Sequence, residues 1–432
     1  MRKGDRLNVW MNGSHVGVFT SLKRGVAFEY DWNAPRISFS LPKDGEWRED
    51  APENFLENLL PESGAAKYAM MQAVGAKSQE SFDLLENVDS AGALVFSRND
   101  EMPTIASVPP AEATDDEIAT RIAAVKRTPD SWFVRNKGAR FSLAGAQGKF
   151  SLSRVGDEWV WPNGAVPSTH ILKPAGIYDA DEVEHATMML SKMIGIETPE
   201  SDIQEFNGQQ TYIVERFDRR IENGMPVRLP MEDMVQALGL PSSEKYKVSA
   251  VDTLTTLRKM DPSGRLGEEW LRRLAFNVAV DNCDAHARNY SVMPTSLDGE
   301  SWKLSPAYDV MTTTVWPGLT DKLAMPFSGA EHASEVTPDH YARLADYCGF
   351  DPDTARDEAI RISDLVRLNA HTAYMDLAPE LQAKLLDKIR VANSGMPSPQ
   401  HFVLPDNGMV HVVSHDRDGH PVHDYWRRKP SR

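Results

Sequence analysis

Ten residues near the middle of the chain, Asp281 to Tyr290, read DNCDAHARNY: two aspartates, two asparagines, a histidine and an arginine with little apolar cover. Asp284 and Asn289 stand five apart, the D-x-x-x-x-N spacing of a protein-kinase catalytic loop. That spacing lets one carboxylate face an attacking hydroxyl while an amide oxygen turns toward a metal. By itself the pair also suits capping and turn residues. A second acidic residue narrows the choice. YSVM and WKL form a hairpin over Asp298-Gly299, and paired strands lie about 5 Å apart. The hairpin therefore returns Asp309, in SPAYDV, toward Asn289. An amide oxygen and a carboxylate side by side are hard ligands suited to Mg²⁺, which takes few protein ligands plus phosphate oxygens. On this reading Asp284 is the base or hydroxyl-orienting group, and Asn289 and Asp309 hold the metal. His286 and Arg288 either contact phosphate or lock the loop.

Phosphoryl transfer also needs a cation for the nucleotide. Lys173 ends an apolar strand, THILK, as the β3 lysine of a kinase does. Glu184, on the helix just after, is placed to hold it by an ion pair. SLAGAQGK (142–149) is rich in small residues, which let backbone amides approach phosphates. It is not a Walker A loop, because Leu143 stands where Gly is required and Phe150 where Ser or Thr is required. VERFD (214–218) lies where strands give way to helices. A linker there bonds adenine in a bilobal kinase, which makes Glu215 and Phe217 adenine-site candidates.

The elements that must position these groups are legible in the pattern. LNVWM and HVGVF flank Asn12-Gly13, a hairpin turn; ISFSL reads as a further strand and ENFLENLLPES as a short helix stopped near Pro61. GALVF (92–96) is a buried strand, and 98–117 is polar, Pro-bearing and linker-like. KFSLSRV, EWVW and THILK read as strands. A helix follows, capped by Asp179 or Asp181, with Val183, Leu190, Met193 and Ile194 on one face. IQEF and TYIVERF form a hairpin over Asn207-Gly208. From about 231 the pattern is helical, interrupted by the YSVM–WKL hairpin; Trp270, Leu274 and Val278 repeat every fourth residue. The predicted fold class is α+β, with a cleft at the seam. The divisions are a β-rich subdomain (1–105), an α/β lobe with the Gly-rich loop and the lysine (118–230), a helical domain with the catalytic loop (231–414) and a flexible tail (415–432).

At 432 residues the chain exceeds one typical core, and its 41% hydrophobic and 25% charged residues are ordinary for a globular protein. A net charge of −16 argues against bare nucleic-acid binding. Two cysteines, Cys283 and Cys348, have no metal or disulfide-framework spacing and fit a reducing cytoplasm. No run of about 18 apolar residues suggests a membrane span.

An ordered series of motifs resembles the HipA family of toxin kinases: NLLPES, SFDLLENVDSAGAL, FSLAGAQGK, THILKP, VERFDRR, EDMVQALGLPSSEKY, DAHARN and LSPAYDV. The resemblance implies a bilobal protein-kinase fold, distantly lipid-kinase-like, and a Ser/Thr protein kinase using ATP and Mg²⁺. It also implies a HipB-like DNA-binding antitoxin as partner, operator DNA reached through that complex, and autorepression. Growth arrest and persistence go with it, and glutamyl-tRNA synthetase is the reported target of the best-known member. Carried over by position, the catalytic aspartate is Asp284, the metal pair Asn289 and Asp309, and the ATP lysine Lys173. Nucleotide contacts fall on Glu215, Phe217, His286 and Tyr308 and on the backbone of Leu143, Ala144, Gly145, Ala146 and Gln147. The autophosphorylated serine is Ser142. A phosphate there adds about −1.5 to −2 charge within the nucleotide loop, which should expel loop and ATP together. Two departures stand out: DAHARN where many members have Gly and Lys, and Gly148 where some carry Glu.

Three other readings compete. A corepressor scaffold with a vestigial pocket would not need Lys173, Asp284, Asn289 and Asp309 together. A metal hydrolase would need a further ligand pattern such as H-E-x-x-H, which is missing. A small-molecule kinase shares the loop chemistry and separates from a protein kinase by its substrate alone.

Overall fold

The computed structural model describes residues 3–104, 111–131, 139–143, 148–296 and 298–398, and the backbone of four short strands between 409 and 428. The first layer is an antiparallel sheet ordered β3-β2-β1-β4, from Arg6–Met11 (β1), Ser14–Ser21 (β2), Val26–Tyr30 (β3) and Leu94–Ser97 (β4). Asn12 and Gly13 both have positive φ, as the tight β1–β2 turn requires. Helices Ala51–Asn58 (α1), Gly64–Val74 (α2) and the single turn Ser81–Leu84 (α3) lie between β3 and β4. Proline at the start of α1 fits the first turn, whose N–H groups have no helical partner.

ISFSL is not a strand. Its N–H groups go to side chains instead: Ile37 donates to Tyr30 Oη at 3.0 Å and Phe39 to Glu232 Oε1 at 2.7 Å. The strand of this region is VAFEY, eleven residues earlier.

A six-stranded sheet follows, ordered β5-β7-β6-β8-β10-β9: Ala111–Glu112 (β5), Phe150–Val155 (β6), Glu158–Trp161 (β7), His170–Lys173 (β8), Ser201–Phe206 (β9) and Gln209–Glu215 (β10). Asp115–Arg127 (α4) begins inside the stretch expected to be linker; Thr114 and Glu117 close a capping box at its start. Ala180–Met193 (α5) follows β8, with Asp179 at its N-cap in a left-handed conformation and no side-chain cap bond.

One apolar cluster runs from Leu7 through Phe96 and Ile118 to Ile213, so the first sheet and the six-stranded sheet share a core. Gly148 is pressed into it: a Cβ there would lie 2.8 Å from Val125 Cγ1 on α4 and 3.0 Å from Pro129 Cα.

The remainder is mainly helical, as its period predicts. A short hairpin, Arg219–Glu222 (β11) and Met225–Arg228 (β12), turns over Asn223-Gly224 and leads to Glu232–Asp233 (β13) and Met234–Ala237 (α6). Ala250–Met260 (α7), Arg265–Ala279 (α8), Pro338–Tyr347 (α9), Pro352–Ala373 (α10) and Pro379–Ala392 (α11) pack around a second cluster that includes Trp270, Leu274, Val278 and Tyr341. Ser291–Pro294 (β14) and Trp302–Leu304 (β15) are the expected hairpin, and β14 also pairs with β13. The pattern did not reveal β11–β12 or a further hairpin of Lys322–Phe327 (β16) and Ala330–His332 (β17).

Strand backbone is described at Met409–Val412 (β18), just before the expected tail (415–432), and within that tail at His415–Arg417 (β19), His420–Val422 (β20) and Tyr425–Arg428 (β21); they pair as β18–β21 and β19–β20. No helix among the described residues is long and apolar enough to cross a membrane.

Candidate active site

Helix α8 ends at Ala279, and the chain turns sharply through Asp281, which has positive φ. The loop that follows closes on itself. His286 N–H donates to the Asp284 carbonyl at 2.7 Å, Asn289 N–H to the His286 carbonyl at 2.9 Å, and Asn289 Nδ2 to the Asp284 carbonyl at 2.9 Å. The last bond uses the amide nitrogen of Asn289 and leaves its oxygen as the metal-type donor. The Asp284 carboxylate accepts from Tyr246 Oη at 2.7 Å.

The β14–β15 hairpin then does what its spacing implies. It brings Asp309, at φ 58°, back to the site. Lys173 Nζ lies 2.6 Å from Asp309 Oδ1 and 2.5 Å from Glu184 Oε1. The expected lysine–glutamate pair is therefore formed, and Asp309 completes a triad with it.

Burial decides the electrostatics. Glu184 is 1% exposed, and desolvation pushes its carboxyl up to about 7 despite the neighbouring ammonium. Desolvation also opposes the charge on Lys173, but Asp309 and Glu184 outweigh it and hold the lysine well above its ordinary range. Asp309 is 31% exposed. What desolvation it suffers is overcome by Lys173 and then Lys149, which keep it well below the usual carboxylate range.

Lys149 is a participant that sequence reasoning quoted within SLAGAQGK but did not assign. It is buried, and desolvation lowers its ammonium to about 8, with Asp309 as the largest opposing influence. No hydrogen bond joins it to a described residue. Its position next to a small-residue loop was the one available signal.

The remaining candidates divide by face. Along VERFD, Arg216 and Asp218 are buried while Glu215 is exposed and Phe217 half-buried. Phe217 meets Tyr308 with ring centroids 5.3 Å apart, and Tyr308 Oη donates to the Arg288 carbonyl at 2.7 Å. Phe217 thus packs on the aromatic residue that immediately precedes Asp309. The Glu215 N–H donates to the Glu200 carbonyl at 2.8 Å.

Of the two roles left open for Arg288, the bonds formed are those of a lock. It donates to Asp233 Oδ2 at 3.0 Å, Glu62 Oε1 at 3.0 Å and the Asn58 carbonyl at 2.7 Å. His286 is buried; desolvation and then Lys245 push its imidazole toward the neutral form. Ser142 is fully buried, its hydroxyl donating to the Leu59 carbonyl at 2.5 Å. Leu143 is buried beside it. Ala144, Gly145, Ala146 and Gln147 lie outside the described residues.

The residues present fit a nucleotide with a divalent cation. Two buried polar atoms among them, Glu184 Oε2 and His286 Nδ1, have no partner. Asn289 and Asp309 offer hard oxygen donors, and two lysines face them. Among the described residues no cluster of three or more His, Cys, Asp or Glu could hold a metal. Two protein oxygens plus phosphate is the ligand count Mg²⁺ accepts.

Comparison with known proteins agrees with this architecture. Residues 7–97 match the HipA N-terminal domain and residues 141–370 the HipA-like C-terminal domain. The Sinorhizobium fredii protein named "Putative kinase Y4mE" is 33% identical over 79% of this chain and 86% of its own length. The "Serine/threonine-protein kinase toxin HipA" of Shewanella oneidensis is 28% identical over 69% and 72%. Among solved structures, the Shewanella oneidensis HipA, HipB and operator DNA complex contains a chain that aligns with TM-score 0.75 at 23% identity, covering 90% of this chain and 99% of that one. With both domain types matched in order and the kinase-named Sinorhizobium relative spanned over most of its length, the chain belongs to the HipA family.

Proposed function

We propose that this protein is a Ser/Thr protein kinase toxin that moves the γ-phosphoryl group of ATP to a protein hydroxyl. The observation that carries the reading is the Lys173–Glu184–Asp309 triad, with its lysine and glutamate buried, beside the Asp284–Asn289 loop. In this reading the Asp284 carboxylate, which already accepts a hydroxyl from Tyr246, orients the acceptor hydroxyl and takes its proton. Lys173 and Lys149 place positive charge where phosphate oxygens lie, inside a site dry enough to strengthen it. Asn289 and Asp309 present oxygens for Mg²⁺, and a bound Mg²⁺ supplies charge neutralisation between the phosphates. Glu215 and Phe217 border the adenine end.

Ser142 is the self-phosphorylation site in this proposal. Its burial against Leu59 means that the segment must leave its seat for the hydroxyl to be modified, and the added charge opposes its return. The partner is a HipB-like antitoxin, by analogy with the Shewanella complex. Because this chain carries a net charge of −16, the antitoxin supplies most of the operator contact in this proposal, and the pair represses its own operon.

The test is direct. The protein is incubated with labelled ATP, Mg²⁺ and a lysate, with glutamyl-tRNA synthetase as the first purified acceptor, and the labelled residues are mapped. Wild type should label serines on itself and on a target. Asp284→Ala and Asp309→Ala should each abolish transfer with the fold intact. Substantial transfer by either variant sinks the assigned role.

A further inference from the structure

NLLPES (58–63) is a motif that the phosphoryl-transfer reading leaves without a task. It continues from the end of α1, in the region before the kinase lobes, and Asn54 and Asn58 tie it to the Gly239 and Leu240 carbonyls at 2.9 and 2.8 Å. Within five residues it touches both active-site loops. The Leu59 carbonyl receives Ser142 Oγ at 2.5 Å. The Asn58 carbonyl receives Arg288 Nη2 at 2.7 Å. The Glu62 carboxylate takes Arg288 Nη1 on one oxygen at 3.0 Å and Lys245 Nζ on the other at 2.8 Å. Lys245 in turn accepts the Ala287 N–H on its carbonyl and precedes Tyr246, the hydroxyl partner of Asp284. Among the described residues, the catalytic loop and Ser142 are thus both bonded to one short segment, residues 58–62.

The chemistry suits a clamp. Arg288 is 5% exposed and its planar fork meets three acceptors from three directions, Asp233, Glu62 and the Asn58 carbonyl. An ammonium cannot span that set. Glu62 faces two cations, so removing its charge leaves Arg288 with less than its full complement in a dry setting.

We propose that residues 58–62 are a cis-acting positioning element for phosphoryl transfer. In it, Glu62 is the positioning residue that holds the catalytic loop in register with the Ser142 segment through Arg288 and Lys245. The proposal rests on the kinase reading for its kinetic arm and on the fold alone for its structural arm.

Four variants test it: Glu62→Gln, Arg288→Lys, the double variant, and Glu57→Gln. Glu57 lies near the end of α1, just before the segment, and among the described residues its carboxylate pairs with Lys67 alone, so its loss controls for a lost charge beside the element. Glu62→Gln should lower kcat about tenfold, the equivalent of ~1.4 kcal/mol, with KM for ATP within about twofold. In nucleotide-free protein, the His286 and Asn289 amide protons should exchange about tenfold faster. Arg288→Lys should do the same, the double variant should be no worse than the worse single, and Glu57→Gln should match wild type. Wild-type kcat and exchange in Glu62→Gln, a loss confined to KM, or full additivity of the pair each overturns the proposal. If Glu62→Gln does not fold, Arg288→Lys with normal kcat and exchange overturns it alone. A wild type that transfers no phosphate sinks the kinase reading, and the exchange arm still decides this one.

Discussion

Lys149 sits buried near Asp309, Lys173 and Glu184, and desolvation dominates its behaviour, lowering the ammonium to about 8. The unfolded chain keeps an ordinary lysine near pH 10.4. Between about 8 and 10.4 the unfolded state holds more protons, so stability rises with pH in that window, and below about pH 8 the penalty is fully present. Lys149→Met should therefore raise the Tm of nucleotide-free protein at pH 7, by an amount that shrinks as pH climbs through that window. The same change should weaken ATP binding about tenfold or more, as loss of a charge-assisted contact to phosphate does. Thermal melts at two pH values and an ATP titration check both halves. A Tm that falls at pH 7 would refute the first. The sequence showed Lys173, because a lysine at the end of an apolar strand follows a known geometry. It did not show Lys149, because burial of one lysine in a loop of small residues depends on chain packed from elsewhere.

Gly148 shows what elements ask of a sequence. Its missing side chain is occupied space: Val125 of α4 and Pro129 lie within 3.0 Å of where a Cβ would stand. Gly148→Glu should push α4 off the six-stranded sheet and destabilise the fold by about 1–3 kcal/mol, the usual cost of overpacking. A shift in denaturant midpoint without a change in slope would confirm it; an unchanged midpoint would count against it. Elements whose signal is local were legible. The hairpins over Asn12-Gly13, Asn207-Gly208 and Asp298-Gly299 and the Trp270 helix all follow from short-range pattern. ISFSL was not, because its alternation imitates a strand while Glu232, some two hundred residues on, takes its Phe39 N–H. Helix α2 escaped notice although Ala66, Met70 and Val74 stand four apart on its buried side, since small and polar residues surround them. β11–β12 carries the same Asn-Gly turn signal as the others, but β11 is mostly charged and β12 is only four residues long with a proline inside it.

Across the whole molecule, Asp89 is the joint. Fully buried, it receives Arg219 at 2.9 Å, Arg228 at 2.8 Å and the Ser168 hydroxyl at 2.6 Å, while Asp218 holds Arg216 at 2.7 Å. Its main chain bonds Arg140 and Ser142 at 2.7 Å each. One residue thus ties the base of the Gly-rich segment to the β11–β12 hairpin that follows Glu215 and Phe217. Desolvation alone would raise the Asp89 carboxyl; Arg219, Arg228 and Arg216 reverse that and lower it. A carboxyl lowered on folding stabilises above its unfolded value near 3.9 and loses that contribution as pH falls below it. Asp89→Asn should cost about 3–5 kcal/mol at pH 7, since it strands buried arginines. It should also flatten the stability loss below about pH 4. Denaturant melts at pH 7 and pH 3 measure both, and equal pH dependence in variant and wild type would refute the assignment. No spacing rule could assemble this network, whose members lie up to 139 residues apart.

The grips on Ser142 and on one arm of Arg288 are main-chain carbonyls, those of Leu59 and Asn58. A carbonyl is supplied by any amino acid, so the hold itself asks nothing of the Leu59 side chain, which is spent on packing the core. A scan that trims side chains one at a time would pass over Leu59's carbonyl in silence. What the hold cannot survive is a change in chain length: one residue inserted between Asn58 and Leu59 would carry the Leu59 oxygen out of step with that of Asn58, which α1 keeps in place.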